Sequence, residues 1–162
     1  MLTENKSSGN TVCYAEAKSI GILFTQSDRK KYDAIKDLVK RFKNDDKRVA
    51  VLCYLEKGGE NYDFRYDYIT SHDVGLWGRM QSPSALKFAE IGFDYLYYLD
   101  LKSNIYLENV MAMCKSRCRI GFYHKENNKL LDLMIQVNST ATIESAIDQI
   151  LFYTMKLGSN GN

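Results

Sequence analysis

Two short polar turns carry the side chains best suited to chemistry. One runs Thr25, Gln26, Ser27, Asp28; the other is Asp100 to Asn104 (DLKSN). Each follows an apolar run and precedes a helical pattern, so its hydroxyl, amide and carboxylate groups stand at a helix N-terminus, where backbone N–H groups favour an anion. Thr25, Ser27, Asp28, Asp100, Ser103 and Asn104 therefore form a candidate ligand crevice, with Lys102 as a further donor. The same residue types are ordinary helix caps, and every helix needs a cap while few need a ligand, so capping takes precedence. His72 beside Asp73, in the irregular stretch HDVGLWGRM, is the minimum for general acid or base work and joins the crevice as its seventh candidate. The sequence places no third catalytic group beside that pair, and solvated loop residues are the plainer reading.

Other chemistries find little footing. The first turn lacks the glycines of GxGxxG, no GxxxxGK[ST] occurs, and no GxSxG offers a nucleophile elbow. No cofactor motif remains, and no residue is assigned a catalytic role. Cys114, Cys118 and His124 are zinc-ligand types, but Cys114 falls on an apolar helix stripe and Cys118 opens a strand, without a CxxC knuckle; core packing accounts for them. Arg117 and Arg119, with Lys115 nearby, make a basic spot that a solvated strand end explains equally well. Trp77 and Met80 read as a cover over one end of the sheet rather than a stacking platform for bases. Twelve tyrosines, notably Tyr95, Tyr97, Tyr98 and Tyr106, suggest a half-wet surface, because buried phenols need partners.

These side chains must be positioned by an α/β frame. Phe93 to Phe122 reads as a buried strand (Tyr95 to Leu99), a polar turn, a helix with Leu107, Val110, Met111 and Cys114 on one stripe, and a further strand (Arg119 to Phe122): one βαβ unit. Ser19 to Phe24 and Arg48 to Leu55 are apolar on both faces, as strands of a parallel sheet covered on both sides must be. Between them lies a helix with Tyr32, Ile35, Leu38, Val39 and Phe42 on one face and lysines opposite, ended by Asn44, Asp45 and Asp46. Tyr66 to Thr70 supplies a short strand. Ser82 caps a helix with Pro83 at its first position and Gly92 at its end. Leu130 to Val137 is the last strand, with an antiparallel direction as the alternative because the connection through Lys125 to Lys129 is short. Thr142 caps a final helix bearing Ile143, Ile147, Ile150, Leu151 and Met155. Residues 1 to 17 read as a polar arm, partly helical at Tyr14 to Ala17; Glu56 to Asp67 as a loop; and 159 to 162 as a disordered tail.

The chain of 162 residues is long enough to bury about 70% of its unfolded surface in one domain, residues 18 to 158. Lysine and arginine number 22 against 20 acidic residues, a formal charge of +2, so nucleic acid or an anionic membrane would have to be met by a local patch. No apolar h-region follows a basic start and no window approaches the roughly 20 apolar residues of a membrane span. A cytoplasmic location without membrane attachment is expected, and four cysteines in a chain of this size are expected to be free thiols.

AKSIGILF (Ala17 to Phe24), FDYLYYLDL (Phe93 to Leu101), SRCRIGFY (Ser116 to Tyr123) and LDLMI (Leu131 to Ile135) resemble an uncharacterised family of short cytoplasmic α/β proteins from Bacteroidota. More distantly, the apolar strand opening on Phe93 and Asp94, paired with the later Arg119, Ile120 and Gly121, is similar to the N-terminal domain of heptosyltransferase-type glycosyltransferases. That resemblance implies a Rossmann-like fold; the donor sugar of such enzymes sits chiefly in a second domain, for which this chain leaves no room.

The expected architecture is a single three-layer Rossmann-like domain, a mostly parallel sheet of five or six strands with helices on both faces and central order 3-2-1-4-5. For function, the first reading is a non-enzymatic cytoplasmic binding or protein-interaction module, alone or as a homodimer. The alternative is a binder or enzyme for a nucleotide-like or sugar-phosphate ligand, a small anion held at the crevice. Association with RNA or the ribosome through scattered lysines and tyrosines comes third.

Overall fold

The computed structural model describes residues 12–56, 65–125 and 129–158, together with the backbone of Leu2–Glu4. The loop expected over Glu56 to Asp67, the turn at Lys125 to Lys129 and the C-terminal tail fall mostly or wholly outside these residues. Seven strands are described: β1 (Leu2–Glu4), β2 (Ser19–Gln26), β3 (Arg48–Leu55), β4 (Asp67–Ile69), β5 (Phe93–Tyr98), β6 (Ser116–Phe122) and β7 (Leu133–Ile135). They form one sheet in the order β1-β7-β6-β5-β2-β3-β4, with β2 to β7 all parallel and only β1 antiparallel, against β7. The expected central order holds. The last strand is parallel, correcting the antiparallel alternative, and shorter than the apolar run that announced it.

Four helices cover the sheet: α1 (Arg29–Asn44), α2 (Pro83–Glu90), α3 (Ile105–Met113) and α4 (Ile143–Met155). Their faces divide cleanly. Ile20, Ile22, Phe24, Tyr95 and Tyr97 point to the side where Ile35, Leu38 and Phe42 of α1 and Ile147 and Ile150 of α4 pack. Leu23, Leu96 and Tyr98 point to the other side, against Phe88 of α2 and Leu107, Val110 and Met111 of α3. Period-2 alternation in strands whose two faces are both dry produces the unbroken apolar runs of the sequence.

Ends are set by local chemistry. Asp28, Ser82, Asn104 and Thr142 accept backbone N–H groups as N-caps of α1, α2, α3 and α4. Gly92, at φ 73°, follows the end of α2 in the left-handed region that glycine tolerates best.

The N-terminal stretch departs from expectation. Instead of a polar arm, Val12, Tyr14 and Ala17 lie in the core beside α1 and α4. Tyr14 to Ala17 makes a single turn, with Ala17 N–H donating to Cys13 O at 3.1 Å. Its anchors are Lys47 Nζ, which donates to Tyr14 O (2.7 Å) and Ala17 O (2.8 Å), and the Tyr14 hydroxyl, which donates to Asp45 (2.6 Å). One lysine and one tyrosine from the body thus satisfy backbone carbonyls of this stretch, since Tyr95 also donates its hydroxyl to Val12 O.

Candidate functional site

Strand order reverses between β2 and β5: the chain turns one way to β3 and β4 and the other way to β5, β6 and β7. At the carboxyl ends of β2 and β5 the two following connections diverge and leave a cleft of about 450 Å³. Six of the seven candidates read from the sequence line it: Thr25, Ser27, Asp28, Asp100, Ser103 and Asn104. Lys31, Glu56, Lys102 and Ile143 complete the polar part of the wall and its α4 side. His72 is absent from the lining and exposed, on the 3-10 turn Ser71–Asp73. Its neighbour Asp73 closes a capping box with Thr70, accepting Thr70 N–H at 2.6 Å. The His72 and Asp73 pair is therefore a turn-stabilising device, and the imidazole does not join the crevice.

Asp100 organises the wall. It is 3% exposed and emerges one residue after Leu99, whose own N–H continues the sheet by donating to Leu23 O at 2.9 Å. One carboxylate oxygen accepts from Thr25 N–H (2.8 Å) and the Lys31 ammonium; the other accepts from the Thr25 hydroxyl (2.6 Å). Asn104 Nδ2 then donates to Thr25 Oγ1 at 2.8 Å, while its Oδ1 accepts from Tyr106 N–H (3.0 Å) and Leu107 N–H (3.3 Å) to cap α3. His124 Nε2 reaches the Asp100 carbonyl at 3.0 Å. From beneath, the Tyr98 hydroxyl accepts Asn104 N–H at 2.7 Å and fixes the DLKSN turn.

The capping reading and the crevice reading therefore hold together. Asp28 accepts Lys31 N–H at 2.9 Å and also receives the Ser27 hydroxyl at 3.2 Å, and Ser103 donates to Glu108 on α3. The caps form the wall of the cleft, and their mutual bonds make it rigid. Beneath the cleft, burial, then the Asp100 carboxylate, raises the Tyr98 phenol against the opposing Asn104 N–H. Burial likewise raises the Cys53 thiol and pushes Cys114 up to about 12, so both stay protonated.

Lys31 and His124 were not legible as parts of this site. A signal for Lys31 existed: it shares the i, i+4, i+7 stripe of Ile35 and Leu38, so its stem had to lie on the core and its ammonium needed a carboxylate. His124 carried no such signal. Elsewhere, Tyr95, Tyr97 and Tyr98 are fully buried, so the tyrosine run is core and supplies no interface. Trp77 is fully exposed while Met80 is buried, which undoes the expected cover. Arg117 pairs with Asp94 at 3.6 Å and Arg119 donates to Cys114 O at 3.1 Å, so the basic spot is engaged within the fold. Among the described residues no three metal-ligating side chains converge, and no helix is long and apolar enough to cross a membrane.

The fold is that of an α/β protein of Rossmann-like topology, with a cleft at the switch point of its sheet. The chain belongs to a family of unknown function, DUF6913, whose family model matches residues 1–157. No curated protein and no solved structure matches it.

Proposed function

We propose that the protein binds a small polar ligand, of the nucleotide-like or sugar-phosphate class, in the cleft between Thr25 to Asp28 and Asp100 to Asn104. The observation that carries this reading is the position of a preformed cleft of about 450 Å³ at the switch point, where ligands of open parallel sheets settle. Three helices begin at its rim, α1 behind Asp28, α3 behind Asn104 and α4 at Ile143, and their positive ends favour the anionic group of such a ligand. Lys102 and Ser103 are exposed at the mouth and supply donors. Binding rather than turnover fits the wall, because Asp100 and Thr25 spend their hydrogen-bonding capacity on each other, Lys31 and Asn104.

A thermal-shift panel of nucleotides, nucleotide sugars and sugar phosphates tests it. At least one member should raise the melting temperature in proportion to ln(ligand), and Ser103→Trp, which fills the mouth from an exposed position that makes no bond to Asp100, Thr25, Lys31 or Asn104, should abolish the rise. A flat panel, or a rise that survives Ser103→Trp, would overturn the reading.

One observation favours the interaction-module reading instead. Leu76 and Trp77 stand almost fully exposed on a hairpin tip closed by the Val74–Met80 bridge and tied to α3 by Asn109 Nδ2 donating to Gly78 O at 2.9 Å. A rigidly presented tryptophan is a typical association anchor. If the partner is a second copy, sedimentation should show a dimer that Leu76→Ala with Trp77→Ala dissociates; a monomer at all concentrations removes that version.

A further inference from the structure

The strongest charge asymmetry lies away from the cleft. A groove of about 880 Å³ runs along the outer side of α1 and is closed on its far side by Arg65 and Tyr66, at the entry to β4. α1 has 16 residues, so the groove follows about 24 Å of helix. Lys36, Lys40 and Lys43 form one stripe along it, at steps of about 6 and 4.5 Å along the axis. All three, with Arg65, are exposed, and among the described residues none of the four is ion-paired. Among the described residues Asp37 is the single carboxylate in the lining, and Arg29 at the head of the groove is paired with Asp33 at 3.3 Å. Among those residues the groove sets four cations outside any ion pair against one carboxylate, a local excess above the +2 of the entire chain.

The groove is held in shape. Tyr66 packs edge-on against Phe24 (ring centroids 6.3 Å) and against Tyr32 of α1 (5.7 Å), which anchors the backbone that carries Arg65. Its floor offers a protein partner little, since Tyr32 and Val39 are already buried and, among the described residues, no exposed apolar side chain lines it. Protein interfaces are built on apolar anchors and are poor in lysine, whereas nucleic-acid interfaces are polar and strongly positive. Lysines, as flexible point charges, suit phosphates of variable position better than one planar carboxylate.

We propose that this groove binds the phosphodiester backbone of a nucleic acid, without reading its sequence. Among the described residues no exposed ring lines it for base stacking, so phosphate contacts supply the affinity and the binding must be strongly salt-dependent. With four cations engaged, log K should fall against log salt with a slope of about −3 for a single strand and somewhat steeper for a duplex.

The test is fluorescence anisotropy with labelled oligouridylate and with an RNA duplex of equal length, across a salt series. Lys36→Gln/Lys40→Gln/Lys43→Gln should weaken binding by about tenfold or more at low salt and make the slope shallower by about 2. Lys87→Gln/Lys115→Gln/Lys129→Gln, which removes the same charge from exposed sites elsewhere, should leave both nearly unchanged. Preference for strand or duplex identifies which source of phosphodiester is bound. Equal loss in the two triple variants, a slope near zero, no binding of either RNA, or displacement by polyglutamate at equal charge concentration overturns the proposal.

Discussion

A lysine on the apolar stripe of an amphipathic helix has two stable outcomes: its ammonium reaches past the core to water, or it meets a buried carboxylate. Lys31 takes the second course, 7% exposed and ion-paired to Asp100. Removing one member of such a pair strands the other charge in a poor solvent, whereas removing both leaves mainly a packing problem. Asp100→Ala should therefore destabilise the fold by about 3–5 kcal/mol in urea unfolding, and Lys31→Met combined with Asp100→Asn by clearly less than the sum of the single changes. Additive losses would show that the two side chains act independently. A second residue-scale feature is Asp46, at φ 58°. With Asp46 N–H on Lys43 O (3.1 Å) and Lys47 N–H on Phe42 O (3.0 Å), it occupies the left-handed position of the motif that ends α1. Asp46→Gly relieves that conformation and should raise stability by about 1 kcal/mol, read as a higher urea midpoint at unchanged m-value.

At the scale of elements, strands were legible because both faces of β2 and β5 are dry and β3 is at least half-buried beyond its first residue, and helices because their caps and stripes are regular. The order β4-β3-β2-β5-β6 of the five central strands was legible, since topology rules leave few alternatives, while the place of β7 was not part of that expectation. What stayed hidden depends on tertiary partners. The direction of β7 could not be read from the length of the connection before it, because parallel pairing needs only that the chain cross back over one face. Residues Val12 to Ala17 look polar since their neighbours are, yet three of them are buried once Lys47 and Tyr95 bind their carbonyls. The tyrosines misled for the same reason: a phenol in a strand has the same composition signal whether its hydroxyl meets water or, as in Tyr98, the amide of Asn104. Six of the seven crevice candidates line the cleft because a cap's position is local information. His72 lies away from it because nothing local says which way a turn faces.

At the scale of the molecule, β5 is bracketed by two aspartates that each reach across to β2, one at either end of the pair that defines the switch point. Asp100 holds the carboxyl ends through Thr25; Asp94 holds the amino ends by accepting Lys18 N–H (2.8 Å) and Ser19 N–H (3.1 Å), and draws in Arg117 of β6. Register between the two central strands, and hence the shape of the cleft, rests on both. Burial raises the Asp94 carboxyl, but the two amides and Arg117 outweigh it and the net shift is downward. A folded value below the unfolded one means that folding releases a proton across that interval. The stabilisation is then complete above the ordinary carboxylate value, about 3.9, and is lost as pH falls through the lower folded value. Asp94→Asn, which keeps the shape but can no longer ionise, should thus cost stability at pH 7 and progressively less as the pH falls through that interval. Urea unfolding of both proteins between pH 7 and pH 2 measures it; a difference that stays constant across that range would mean that Asp94 acts through shape alone.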